Sequence, residues 1–189
     1  MINMDIPHNK KYKYTYDMKV DTLPTGRTYF TPDGDYPSIT TVLGKTANNP
    51  WLQAWKDRVG EEEAARISKE ATDRGTLVHE YAEKYFNGED IHRDLVQENY
   101  DVVQMSKDLI KIAETGVEEI WGQEQILWSN KYKYAGRCDM VGIWKGKPTI
   151  IDFKHFTNLW LMKTLQFHPN FASTSYAPAR PAGPERLAA

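Results

Sequence analysis

The spacing of apolar residues divides the chain into a helical half and a strand half. Leu95, Val102 and Leu109 recur near helical spacing, which predicts a helix over 93–113. From Val117 onward, short apolar runs of strand length replace that spacing. The predicted order is therefore helices first and then an antiparallel β-meander, which indicates an α+β fold within the broad α/β class.

Start and stop signals predict three more helices upstream. Ser38, just after Pro37, is suited to cap the N-terminus of a short helix. Pro50 can begin the next helix, because proline is favoured in the first helical turn. Asn87-Gly88 marks the end of the third. The predicted spans are 38–43, 51–68 and 73–86.

Three strands are predicted over 124–129, 134–144 and 149–154. Between the last two, Lys145-Gly146 can form a two-residue hairpin loop, since glycine takes positive φ easily. The two residues that flank this loop then pair with each other. A three-residue loop would shift the register by one residue and change every pair of the hairpin.

The chain on either side of this middle region has a different character. Residues 1–36 are polar, and Tyr12, Tyr14 and Tyr16 alternate with polar residues, as in a short exposed strand or an arm. A turn is predicted at 31–35. Residues 155–189 show no clear period, and the Pro- and Ala-rich end is predicted to be disordered.

Composition limits the possible classes of protein. The chain has 189 residues, of which 40% are hydrophobic and 26% charged, as expected for one globular domain with a core. The net charge of −2 argues against non-specific coating of nucleic acid, although a local basic groove remains possible. We find no signal-peptide pattern and no apolar run of membrane-spanning length, so a cytoplasm-like compartment is expected.

The predicted hairpin carries the strongest chemical signal in the chain. Asp152 and Lys154 share one face of a strand, and counting outward from the loop places Asp139 opposite Asp152. Cβ atoms of directly paired residues lie roughly 4.5–5.5 Å apart, so the two carboxylates could converge on one cation. Hard carboxylate oxygens suit Mg²⁺ or Mn²⁺. The alternative is an exposed cross-strand charge cluster with no ligand.

A histidine on a predicted helix adds a second candidate. His79 and Glu83 lie one turn apart, and Gly75 one turn before them, so the three share a helix face. Gly75 would let another backbone approach, His79 could bind the same metal, and Glu83 could form a hydrogen bond nearby. Glu124, at the start of a strand, could be a ligand or a hydrogen-bonding neighbour. An ordinary surface histidine and a solvated glutamate are the alternatives.

Basic and aromatic residues next to the hairpin form a candidate nucleic-acid contact. Lys131, Lys133 and Arg137, beside two tyrosines, could contact phosphates while the rings stack on bases. A solvated hairpin edge is the alternative. We interpret Trp51 and Trp55 as core residues and Lys56 as an exposed cation, with a DNA-binding platform as the alternative. Cys138 is interpreted as a packing residue on the opposite face of the strand from Asp139.

Taken together, these residues resemble the PD-(D/E)XK nuclease superfamily, in particular its RecB-like exonuclease branch. Two further segments, 37–43 and 55–58, resemble bacteriophage exonucleases related to the mitochondrial genome maintenance exonuclease. The resemblance covers residues 36–154. The motifs that carry it are, in chain order, Gly75-x-x-x-His79, Gly136-x-x-Asp139 and Ile151-Asp152-Phe153-Lys154.

The resemblance implies a restriction-endonuclease-like core and Mg²⁺-dependent (or Mn²⁺-dependent) cleavage of DNA that is single-stranded or has ends. It implies phage recombination or replication proteins as partners, and a host cytoplasm as the location. A DNA contact by Ser38 is expected within the first resembling segment. By the same carry-over, Asp139, Asp152, His79 and the Phe153 carbonyl bind the metal, and Asp139, Asp152 and Lys154 are catalytic. Some relatives hold an iron–sulfur cluster with four cysteines, which a chain with one cysteine excludes.

The pattern of the family stops at Lys154. The sequence therefore predicts an N-terminal arm over 1–35, a nuclease core over 36–154 that would lack its last helix and strand, and an atypical tail over 155–189. We hypothesise that the tail is frameshifted or otherwise replaced. Two alternative functions stay open: a catalytically inactive DNA-binding relative, and a metal-binding or protein-interaction domain.

Overall fold

A computed structural model describes residues 6–9, 18–46, 49–156 and 159–166, with side chains described as far as Lys154. Within these ranges the chain forms seven strands and five helices. Their bounds are β1 Val20–Leu23, β2 Gly26–Thr31, β3 Gly34–Pro37, α1 Ile39–Thr46, α2 Pro50–Val59, α3 Glu61–Phe86, α4 His92–Leu95, α5 Tyr100–Glu114, β4 Val117–Ser129, β5 Tyr134–Trp144, β6 Lys147–Phe156 and β7 Leu159–Gln166.

The architecture is mixed α+β, as the sequence predicts. Strands β4 to β7 form a four-stranded antiparallel sheet in sequential order. Helices α3 and α5 contact each other, and α5 also contacts β4 and β7. The helices lie against the sheet because their apolar faces need a partner to leave water. No helix in the described ranges combines the length and apolar character that crossing a bilayer requires.

The main core lies between α3, α5 and the sheet. Side chains that are fully or nearly fully buried come from all three elements, and tight packing of such residues stabilises the fold by roughly 1.5–3 kcal/mol for each large apolar side chain. The buried members from α3 include Val78, Tyr81 and Phe86, those from α5 include Val102, Leu109 and Ile110, and those from the sheet include Ile120, Met140, Ile151 and Phe153.

The register of the β5–β6 hairpin agrees with the sequence prediction. Trp144 pairs with Lys147, and the ladder continues to Met140 opposite Ile151. Lys145 and Gly146 form the two-residue loop with φ angles of 48° and 75°. Positive φ at both positions is typical of a type I′ turn, which matches the twist of an antiparallel hairpin. The next pair along this register would be Asp139 and Asp152.

The helix boundaries differ from the prediction in two regions. The helix predicted over 93–113 is divided into α4 and α5, with residues 96–99 between them. One break separates α2 from α3 at Gly60, whose φ of 88° does not fit a helix interior. From there α3 continues for 26 residues, through the predicted break between Ser68 and Asp73. Ser38 is confirmed as an N-cap, because its hydroxyl oxygen accepts a hydrogen bond of 3.0 Å from the Thr41 N–H.

The N-terminal region contains more structure than an arm. Strands β1 to β3 form a separate three-stranded antiparallel sheet, and the predicted turn at 31–35 joins β2 to β3. This sheet packs on the β4–β5 hairpin through buried Tyr29 and Tyr36, which cluster with Ile126 and Ala135. The three alternating tyrosines at 12, 14 and 16 lie outside the described residues.

Beyond Lys154 the backbone continues as a strand pair. Strand β6 extends to Phe156, and β7 returns antiparallel to it, with Asp152 opposite Lys163. The sequence predicts no strand at 159–166, because apolar and polar residues do not alternate regularly there. The predicted disordered end lies outside the described residues.

Helix α2 has no buried residue, contrary to the core role interpreted for its tryptophans. Trp51 is 69% exposed, and Trp55 is half-buried. The core interpretation of Trp51 is therefore wrong.

Candidate metal centre

The two predicted carboxylates lie where the β5–β6 ladder ends. The last paired residues are Met140 and Ile151, and Asp139 and Asp152 follow immediately. The Phe153 N–H donates a hydrogen bond of 2.5 Å to Asp139 Oδ2. The Asp139 carboxylate therefore accepts a hydrogen bond from an amide of the neighbouring strand, and this bond fixes the orientation of the Asp139 side chain.

His79 reaches this carboxylate from α3. Its Nδ1 lies 3.3 Å from Asp139 Oδ1, so the two Asp139 oxygens contact a helix and a strand. The His79 ring also lies edge-on to the Phe153 ring, with centroids 6.1 Å apart. The hydrogen bond with Asp139 raises the pKa of His79, and burial acts in the opposite direction. The helix and the hairpin are thus joined through the candidate centre.

Glu124 comes to the same place from β4. It lies between two β4–β5 pairs, Gln123 with Met140 and Gln125 with Cys138. Its φ of 51° is unusual for a non-glycine residue in a strand, and such conformations cost of order 1–3 kcal/mol. Potential ligand atoms of His79, Glu124 and Asp139 all lie within 4.8 Å of one another.

Asp152 and Lys154 complete the group. Lys154 Nζ lies 3.1 Å from Asp152 Oδ2, so the strand alternation that placed them on one face also lets them pair. Burial, followed by the nearby Asp139 carboxylate, raises the pKa of Asp152, whereas Lys154 acts to lower it. Burial and Asp139 likewise raise the pKa of Glu124. Asp139 therefore lies close enough to both Glu124 and Asp152 for its charge to act on them.

The other two residues of the predicted helix face, Glu83 and Gly75, differ in how the structure bears on their predicted roles. Glu83 is half-buried, and its charge contributes to the raised pKa of Glu124, so it lies close to the candidate centre. Gly75 does not admit a neighbouring backbone, because a Cβ placed there would meet no atom within 4 Å. The proposed reason for a glycine at position 75 is therefore wrong.

The predicted DNA contacts do not all lie at the centre. Arg137 is exposed, and its NH1 lies 3.5 Å from Glu124 Oε2. Lys131 and Lys133 are exposed in the β4–β5 connection, eight and six residues before Asp139. At a strand rise of about 3.4 Å per residue, the five steps from Asp139 to the start of β5 alone span about 17 Å. Ser38 is 2% exposed and caps α1. A DNA contact by Ser38 stays a prediction.

Cys138 agrees with its predicted packing role. The side chain is 8% exposed, and burial raises the pKa of its thiol to about 12. The thiolate form is therefore scarce near neutral pH, which makes this residue a poor nucleophile and metal ligand.

The pair of Glu124 with Arg137 was not predicted from sequence. Both residues were candidates, for separate roles. The pairs from Gly122 with Val141 to Ser129 with Tyr134 keep one register, which depends on the four-residue connection at 130–133, and no local pattern reveals the length of that connection. In that register Glu124 and Arg137 lie near each other on neighbouring strands.

The donor set fits a hard divalent cation. Ligand atoms of two carboxylates, Glu124 and Asp139, and of the His79 imidazole lie within 4.8 Å of one another. After burial, the Asp139 charge is the next cause that raises the pKa of both Glu124 and Asp152. Oxygen ligands with one imidazole are compatible with Mg²⁺ or Mn²⁺. His79, Glu124 and Asp139 are the side chains whose positions would let them hold such an ion, and Asp152 as a ligand stays a prediction. Binding through the Phe153 carbonyl stays a prediction.

The raised pKa of Asp152 predicts that this residue destabilises the metal-free fold. Its ionised form is less favourable in the folded protein than in the unfolded chain, so stability falls as pH rises above the usual value of 3.8. We expect Asp152→Asn to raise the melting temperature in EDTA at neutral pH, and the gain to vanish at about pH 3, where both states are protonated. Thermal unfolding followed by circular dichroism measures this.

Asp73→Asn is the matched control, since Asp73 is an exposed aspartate that also pairs with a lysine, at 2.5 Å from Lys69. It should leave the melting temperature nearly unchanged at either pH. A lower melting temperature for Asp152→Asn than for the unaltered protein at neutral pH would contradict the electrostatic account of the site.

Comparison with known proteins adds no relative to this picture. No protein-family model matches the chain, and no curated protein matches it significantly.

Proposed function

We propose that this protein is a divalent-metal-dependent nuclease that hydrolyses phosphodiester bonds of DNA. The observation that carries the proposal is the convergence of Asp139, Asp152 and Lys154 with His79 and Glu124 where the β5–β6 ladder ends. The order of these residues in the chain resembles the PD-(D/E)XK superfamily, and the four-stranded sheet with α3 and α5 against it is compatible with a restriction-endonuclease-like core.

Each side chain has a role in this proposal. His79, Glu124, Asp139 and Asp152 hold the cation, which when bound polarises the scissile phosphate and lowers the pKa of an attacking water. Lys154 is held 3.1 Å from Asp152, and it orients that water or offsets the charge that develops on the phosphate. The Phe153 N–H keeps the Asp139 carboxylate in place.

The substrate is proposed to be single-stranded or end-containing DNA. Exposed Arg137 next to the centre supports a phosphate contact there, and exposed Lys131 and Lys133 support weaker contacts further along the hairpin. Tyr132 and Tyr134 stack on each other with ring centroids 6.0 Å apart and can offer a ring to a base. A setting in phage DNA processing, recombination or repair, in the host cytoplasm, follows from the resemblance.

Incubation with end-labelled DNA tests the proposal directly. We expect single- and double-stranded oligonucleotides to be degraded with Mg²⁺ or Mn²⁺ and to survive in EDTA. Lys154→Met should slow degradation by about 10²–10³-fold, the loss typical of removing one group that stabilises transition-state charge. If the enzyme needs an end, closed circular DNA should resist.

Lys69→Met is the matched control, because Lys69 also pairs with an aspartate but is exposed on α3. It should keep full activity. Metal-dependent binding without cleavage would favour the inactive DNA-binding relative instead. If the protein neither bound nor cleaved DNA, the remaining candidate would be a metal-binding or protein-interaction domain.

A further inference from the structure

Arg137 occupies a position between the candidate metal centre and solvent. Its side chain is 50% exposed, whereas that of Glu124, its ion-pair partner, is 32% exposed and that of Asp139 14%. The guanidinium is thus the outermost charged group of this part of the site. An exposed guanidinium is also the group best suited to bind a phosphate with two parallel hydrogen bonds.

Glu124 lies between two competing partners. One is the Arg137 guanidinium, 3.5 Å away. The other is a cation bound in the candidate metal centre, where ligand atoms of Glu124, His79 and Asp139 lie within 4.8 Å of one another. Glu124 keeps an unusual positive φ of 51° in this position. A carboxylate paired with an arginine attracts a cation less strongly than an unpaired carboxylate, because the arginine charge repels the cation.

We propose that Arg137 couples the binding of DNA to the binding of the metal. In the free protein Arg137 pairs with Glu124. A DNA phosphate draws the guanidinium away, and Glu124 is released to the cation. This inference rests on the proposed function, and it adds that substrate recruits the metal through this pair.

Linkage makes the coupling reciprocal. If DNA strengthens metal binding by a given factor, the metal strengthens DNA binding by the same factor. We expect a factor of about tenfold, within the usual range for coupled sites. A role of Arg137 in phosphate binding alone would weaken DNA binding in the variant without altering metal affinity in the absence of DNA.

Arg137→Gln separates these two roles. Calorimetric titration with Ca²⁺, without DNA, should show roughly three- to tenfold tighter binding to the variant than to the unaltered protein, because one positive charge near the cation is gone. Fluorescence anisotropy with a labelled oligonucleotide should show weaker DNA binding. The gain in DNA affinity on going from EDTA to Ca²⁺ should shrink severalfold. Gel electrophoresis checks that the DNA is intact.

Two further variants serve as controls. Arg137→Lys keeps the charge, so its Ca²⁺ affinity should stay near that of the unaltered protein. Lys131→Gln removes an exposed cation far along the same hairpin, so it should weaken DNA binding slightly and leave Ca²⁺ affinity unchanged. Since all three substitutions are at exposed positions, the melting temperatures should agree.

Unchanged or weaker Ca²⁺ binding to Arg137→Gln, in a protein that binds both ligands, would overturn the coupling and leave the proposed nuclease function standing. Equal tightening in Arg137→Lys would also overturn it, because the charge would then not be the cause. If the unaltered protein bound neither Ca²⁺ nor DNA, the proposed function would fail first, and the coupling with it.

Discussion

Asp139→Asn is expected to lower metal-dependent DNA cleavage by roughly 10³-fold or more. Asp139 is the central carboxylate of the site, because its two oxygens contact His79 and the Phe153 N–H. Asparagine keeps the size and one acceptor oxygen but removes the negative charge. The initial rate of release of labelled nucleotides, at saturating Mn²⁺, measures the effect.

The control for Asp139→Asn is a variant that removes a carboxylate outside the candidate metal centre. Asp73 is exposed on α3, so the Asp73→Asn variant should cleave DNA at the rate of the unaltered protein. Circular dichroism should show the same secondary structure for both variants. If Asp139→Asn kept its activity within a few fold, the hairpin carboxylates would not be the catalytic centre.

Gly142→Ala is expected to destabilise the fold by about 3 kcal/mol or more. A Cβ at position 142 would overlap the carbonyl oxygen of Glu119, which belongs to the neighbouring strand backbone and cannot move aside as a side chain could. Gly142 is buried in β5 and pairs with Ile120, next to an irregular step of β4. Urea unfolding followed by circular dichroism measures the loss.

Gly75→Ala is the contrasting variant. Gly75 lies inside α3 with open space around its Cα, so alanine should stabilise the protein by about 0.5–1 kcal/mol through higher helix propensity. Both variants add one methyl group in place of a glycine hydrogen. Equal effects of the two substitutions would show that close strand packing at Gly142 is not what requires a glycine.

The hairpin could be predicted from sequence because its determinants are local. The short loop at Lys145-Gly146 fixes the register of β5 against β6, and strand alternation then places Asp152 and Lys154 on one face. The N-cap at Ser38 is local in the same sense. His79 was placed on the correct helix, but only the tertiary fold shows that this helix crosses the hairpin at Asp139.

Other features depend on contacts between distant segments, so no local pattern reveals them. Strand β7 has no alternating pattern, yet it pairs with β6 through backbone hydrogen bonds, which do not depend on side-chain type. The N-terminal sheet is stabilised by packing of Tyr29 and Tyr36 on a hairpin about a hundred residues later in the chain. Glu124 reaches the site because the β4–β5 register, which depends on the four-residue connection at 130–133, places it between the pairs that flank Asp139.

Binding of Mn²⁺ followed by electron paramagnetic resonance tests the central claim most directly, because it requires no assumption about the substrate. The account predicts that the unaltered protein binds Mn²⁺, that Asp139→Asn weakens this binding at least about tenfold, and that Asp73→Asn does not change it. Mn²⁺ binding of the same strength in all three proteins, or in none, would contradict a metal centre built from His79, Glu124, Asp139 and Asp152.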